Sequence, residues 1–158
     1  MTTEEIQFWG IVISVLSAIA AAVSAVFSAI SSNTTLTLYK KEKKEKLIDK
    51  LNRILEIGIE YPYLESKDFT SKWDNYKLTG DEKYLRYDMY CNLLYNYLHD
   101  VWEYFNHDKK KVEEFVDIKN WIRIHKNNWL NPVDKNENID GYDDEFRLFI
   151  NTYLKYKT

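Results

Sequence analysis

Residues 14–32 read SVLSAIAAAVSAVFSAISS, and the fold turns on how they are read. The stretch is apolar enough to enter a bilayer, yet a serine returns every three or four residues. Lipid contact does not require those hydroxyls. Working outward, residues 6–30 contain no ionisable side chain, and Gln7 is their one strongly polar group. A helix needs roughly 20 apolar residues to cross the hydrocarbon core, so this run spans it with some tilt. A cleaved signal peptide competes, because Val23-Ser24-Ala25 and Phe27-Ser28-Ala29 have the small-residue pattern of cleavage sites. The basic n-region is missing, however, and the apolar run exceeds a typical h-region. A retained anchor is expected.

Alternating steps of three and four from Thr3 pass through Gln7, Gly10, Ser14, Ser17, Ala21, Ser24, Ser28, Ser31 and Thr35. Every one of these is small or polar. Trp9, Ile13, Leu16, Val23, Phe27 and Ile30 are read as the opposite, lipid-compatible face. Small residues let helix backbones approach closely, and serine hydroxyls can hydrogen-bond across the contact. The 3.5-residue period implies a left-handed supercoil between neighbours. With one span per chain, a homo-oligomer satisfies the seam most simply. Two readings stay open: a dry packing seam, or a ring of helices whose serines line a hydrated path.

The charge is divided unevenly. All 22 Lys and Arg lie at Lys40 or later, while the first 39 residues carry only Glu4 and Glu5. Lys40, Lys41, Lys43, Lys44 and Lys46 follow the span. The positive-inside rule therefore puts the C-terminal part in the cytoplasm and the N-terminus outside a bacterial inner membrane. Lys40, Lys41, Lys43 and Lys44 are also placed to hold anionic headgroups, at about 1 kcal/mol each near the surface. A helix continued in register brings Leu38, Glu42, Glu45, Asp49 and Asn52 to the seam. In an oligomer Glu42, Glu45 and Asp49 would stack as carboxylate rings that favour cations at a pore mouth. The competing reading is an ordinary solvated charge run, since Ser31-Ser32-Asn33-Thr34-Thr35 is a weak helix former.

Past the span the chain reads as helices: only four glycines and two prolines interrupt it. Leu47, Ile48, Leu51, Ile54, Leu55 and Ile59 recur at helical spacing before Pro62. A short helix is expected over 66–77 and a turn at Thr79-Gly80. Asp81 reads as the N-cap of a long helix reaching about His107. One helix is expected over 109–127, a loop over 131–141 and a last helix over 143–156. The organisation is thus a short outer segment (1–5), a transmembrane helix (6–31), a lysine-rich juxtamembrane helix (32–61) and a cytosolic helical bundle (62–158). The fold class is all-α.

Chemistry is sparsely signalled. His99, Glu103 and His107 stand at i, i+4 and i+8, a possible ligand face, but no fourth ligand is specified. A solvated polar face is the default, and no metal or cofactor is expected. Arg123 and His125 point apart on a helix and make no acid–base pair. Trp121, Trp129, Asn127 and Asn128 are expected to pack and cap rather than to recognise a ligand. No Gly-rich phosphate loop, GxSxG, CxxC or HExxH is present. Catalytic residues are not assigned, and a non-enzyme is expected. After Lys40 the balance is 22 basic against 23 acidic residues, which gives no direct nucleic-acid signal. Cys91 is the sole cysteine, so no intrachain disulfide forms.

The single span, the lysine-rich juncture and the aromatic-rich helical domain resemble small bacterial membrane proteins linked to phage defence. Among these the layout is nearest to the membrane accessory proteins of type VI CRISPR systems. That resemblance implies oligomerisation into a pore that supports RNA-guided immunity. The Arg/His nuclease-like motif of that family is absent here, so no nuclease residues follow from it. The expected function is therefore a homo-oligomeric pore-former or membrane perturbant, with itself and lipids as partners. The alternative is a membrane-anchored module that binds a cytosolic protein, the span being only a tether.

Overall fold

The computed structural model describes residues 2–73, 75, 79–131 and 141–154. Helix α1 runs unbroken over Thr3–Glu60. It passes through the weak helix-forming stretch 31–35 without interruption. Thr34, Thr35 and Thr37 turn their hydroxyls back onto the Ile30, Ser31 and Asn33 carbonyls at 2.9–3.0 Å, so none competes with the helix from outside it. The lysine-rich segment after residue 31 is therefore helical and continuous with the apolar part of α1. α1 ends at Glu60 because Pro62 follows, and Tyr61 between them leaves helical geometry.

By compactness the chain divides between Lys43 and Lys44. The first unit, Met1–Lys43, holds the N-terminal part of α1 as its only element among its described residues, and its described side chains are exposed throughout.

The second unit, Lys44–Thr158, is all-helical among its described residues. The end of α1 leads into a 3-10 turn (Pro62–Glu65), then α2 (Lys67–Thr70), α3 (Glu82–Tyr104), α4 (Lys109–Phe115), α5 (Ile118–Leu130) and α6 (Asp144–Leu154). α3 is the hub: Tyr87, Cys91, Leu94, Leu98 and Val101 form its buried stripe at helical spacing. Phe146, Phe149, Ile150 and Tyr153 on α6 enter the same core. α5 packs on α2, α3 and α6.

Several expected boundaries shift, each for a local reason. The helix expected over 109–127 is two helices, because Val116 is extended and buried and Asp117 caps a new start by accepting from Asn120 N–H. Asp81, Asp108 and Asp143 do the same for α3, α4 and α6. α3 stops at Tyr104, where Asn106 and His107 take positive φ of 48° and 65° and His107 N–H bonds the Trp102 carbonyl. Of the apolar residues on the last turns of α1, Leu47 and Ile54 are buried, while Ile48, Leu55 and Ile59 face out. The helix expected over 66–77 is described as helical only at α2 and near Trp73, and most of the loop expected at 131–141 falls outside the described residues.

Candidate functional site

The span comes first. α1 is the one described helix long and apolar enough to cross a membrane, with a mean hydropathy of 2.4 over its best window. At about 100° per residue, Gly10, Ser14, Ser17, Ala21, Ser24, Ser28 and Ser31 fall within an arc of about 100°. Ala18, Ala22, Ala25 and Ala29 extend it on one side, so over residues 14–32 about half the helix circumference is Ala or Ser, whereas Ile11 and Ile13 interrupt that half nearer the N-terminus. Gln7 lies on the same half. One residue read as opposite is not: Ile13 lies about 40° from Ser17, at the edge of the small-residue arc. Ser14 Oγ donates to the Gly10 carbonyl at 2.9 Å, so that hydroxyl is satisfied within its own helix.

Lys40, Lys41, Lys43 and Lys44 remain exposed on α1, and Lys43 Nζ lies 4.8 Å over the Tyr39 ring. Glu42, Glu45 and Asp49 are exposed as well. Lys46 stands four residues after Glu42 and three before Asp49, so a lysine shares their face.

The second site was not foreseen from the sequence. Glu65, at the end of the 3-10 turn, meets His125 of α5 and Tyr90 of α3, while Tyr87 and Cys91 of α3 meet the other nitrogen of His125. His125 is fully buried; its Nδ1 lies 3.1 Å from Tyr87 Oη and 3.9 Å from Cys91 Sγ, and its Nε2 lies 3.4 Å from Glu65 Oε1. Tyr90 donates to the same Glu65 oxygen, and Tyr95 donates to the His125 carbonyl at 3.0 Å. The order Cys91–His125–Glu65 has the donor set of a thiol nucleophile with its base and orienter. Its chemistry is otherwise. Burial pushes the Cys91 thiol well above its ordinary value, and with no exposure it is an inert core group. Burial likewise raises the Tyr87 and Tyr90 hydroxyls. The network is a buried polar clamp joining the 3-10 turn, α3 and α5.

Burial also acts to raise the Glu65 carboxyl, but hydrogen bonds from His125 and Tyr90 outweigh it and hold the group below its ordinary 4.5. A carboxylate lowered in the folded state contributes stability above its unfolded value, and that contribution disappears as pH falls through the folded value. Between about pH 6 and pH 3 the urea midpoint of the wild type is therefore expected to fall more steeply than that of Glu65→Gln. Parallel slopes would remove Glu65 from the acid response.

Arg123 bonds Asn120 and makes no hydrogen bond to the clamp among the described residues. Trp129 is buried with Nε1 on Asn151, Asn128 bonds Asp88, and Asn127 bonds the Ser71 carbonyl. Trp129 packs in the core, whereas Asn127 and Asn128 tie α5 to the end of α2 and to α3 and do not cap their own helix.

A third cluster forms where α3 ends and α6 begins. His99 Nε2 lies 3.2 Å from Asp143 Oδ2 and 4.0 Å from Glu103 Oε1. His107 joins Glu103 through Nε2 at 2.8 Å and Glu145 through Nδ1 at 2.9 Å. The sequence aligned the α3 members but could not bring Asp143 and Glu145 to them.

Fold and site together define an all-helical protein with one helix suited to a membrane and a helical domain closed by a buried polar clamp. No known protein family, curated protein or solved structure matches the chain.

Proposed function

We propose that this is a single-pass protein of a bacterial inner membrane, N-terminus outside and helical domain in the cytoplasm. It self-associates through the small-residue half of α1 and permeabilises the membrane. The width of that half carries the reading. A dimer uses one narrow stripe, whereas a ring needs two flanking contact stripes with a lumen-facing stripe between them. Ala and Ser over about half the circumference along residues 14–32 suit the ring. The lysines after the span support the orientation. The resemblance to type VI CRISPR accessory proteins extends the reading to antiphage defence.

The test is the mass of the detergent-solubilised complex together with dye release from proteoliposomes. Six or more copies with release that depends on the native span support the proposal. A monomer or dimer, or function retained when residues 6–30 are replaced by an unrelated Leu/Ala span, makes α1 a tether for a protein-binding domain.

A further inference from the structure

The cluster between α3 and α6 has a composition that an ordinary solvated face lacks. Several exposed acids elsewhere in this unit pair with lysine or arginine, as at Glu82–Arg86, Glu114–Lys110 and Asp144–Arg147. Here three carboxylates, Glu103, Asp143 and Glu145, converge on two imidazoles, and among the described residues no lysine or arginine pairs with them. We propose that His99, Glu103 and Asp143 bind a divalent transition-metal ion, with Zn2+ the representative case, tying the end of α3 to the start of α6.

The donor atoms of these three residues lie within 4.8 Å of one another. Metal–ligand bonds of about 2.0–2.2 Å place neighbouring ligand atoms about 3–4 Å apart, so closure requires only a small swing of the long Glu103 side chain. Two of the ligands are already fixed. The His99 ring packs edge-on against Phe146 at 4.9 Å and beside Tyr142 at 5.6 Å, which presents Nε2 to Asp143. Asp143 divides its oxygens: Oδ1 accepts from Phe146 N–H to cap α6, leaving Oδ2 towards His99. One imidazole nitrogen and two carboxylate oxygens suit Zn2+ and its first-row neighbours, with the remaining position open to water.

His107 takes the supporting part. Its ring lies parallel on Trp102 at 5.0 Å, and its Nε2 holds Glu103 Oε1, the oxygen that faces His99, so Glu103 can offer a metal its second oxygen while His107 keeps the first. No reaction is assigned to the ion. Its role is to join the last turns of α3 to the cap of α6, segments that the His99–Asp143 contact brings together across 44 residues of sequence.

The test uses the full chain in detergent, with any affinity tag cleaved and metals removed by chelation, titrated calorimetrically with Zn2+ at neutral pH. One site per chain with a dissociation constant of about 1 μM or tighter is expected, together with a rise in the thermal midpoint on loading. Co2+ should give visible d–d absorption in the same site. His99→Gln and Asp143→Asn should each weaken binding about 100-fold or more, and His107→Gln about 10-fold. Asn still caps a helix, so Asp143→Asn keeps α6 folded, which circular dichroism checks. The absence of stoichiometric binding by either ion overturns the proposal. So does binding that His99→Gln and Asp143→Asn leave unchanged in folded protein, which would make the cluster a set of ion pairs only.

Discussion

Leucine at Ser17, Ser24 and Ser28 together is expected to dissociate the oligomer and abolish dye release. The three positions lie within about 40° of one another on α1, at the centre of the arc of about 100° that holds Gly10 and the serines. Each leucine removes one hydroxyl, and interhelical hydrogen bonds in membranes are worth about 0.6–2 kcal/mol each. Three such losses amount to roughly 2–6 kcal/mol per chain, a fall in association of about 30-fold at the least. The added side chains also keep the backbones from close approach, so the effect exceeds the hydrogen-bond term. Leu16, Val23 and Ile30→Ala is the matched control, because those residues lie about 100–140° away on the bulky side. It should leave mass and release near wild type. Survival of both oligomer and release in the serine triple variant would sink the seam and the pore together. A smaller oligomer that no longer releases dye would show that copy number governs the lumen.

How far the fold was legible depends on the range of the interaction that decides each part. The span and the stripe on α3 repeat within one helix, so period and hydropathy expose them. Asp81 announces its helix because a turn at Thr79-Gly80 isolates it. Asp117 does the same chemical work, but it sits inside an apolar rhythm, Val112, Val116, Ile118, Ile122, that continues across the corner. Periodicity carried the expected helix straight through a capped break. Ile13 shows the opposite error. At either 3.5 or 3.6 residues per turn Ile13, three residues after Gly10 and four before Ser17, stands about 40–60° from each and so borders the seam.

The sites follow the same division. His99, Glu103 and His107 were visible as a face of one helix, and their missing ligand lies on another element that no spacing rule reaches. Glu65 was still less legible. It belongs to the four-residue turn after α1, and its partners come from positions 90 and 125. Nothing in a window around any one of them marks a buried polar group. The one local signal was His125 beside buried Ile122 and Trp129 on an apolar face, and such a histidine requires partners of its own.

That requirement makes His125→Ala the most damaging single change expected in the helical domain. The imidazole is fully buried, so its removal leaves a cavity lined by Tyr87, Tyr90 and Cys91. It also removes a partner of the buried Tyr87 hydroxyl and of the partly buried Glu65 carboxylate. Cavity formation in a core and unpaired buried polar groups together amount to about 3–5 kcal/mol, a large share of a stability of about 5–15 kcal/mol. The urea midpoint, followed by tryptophan fluorescence, is expected to fall by about 2 M. Two further variants separate the causes. His125→Phe fills the volume but restores no hydrogen bond, so it should recover only part of the loss. Tyr87→Phe removes the hydroxyl partner and should cost about 1 kcal/mol alone, and less when added to His125→Phe, because the orphaned hydroxyl is then gone. A loss below about 1 kcal/mol for His125→Ala would mean that core packing alone holds the 3-10 turn to α3 and α5. Additive effects of His125→Phe and Tyr87→Phe would show that the two side chains are not coupled.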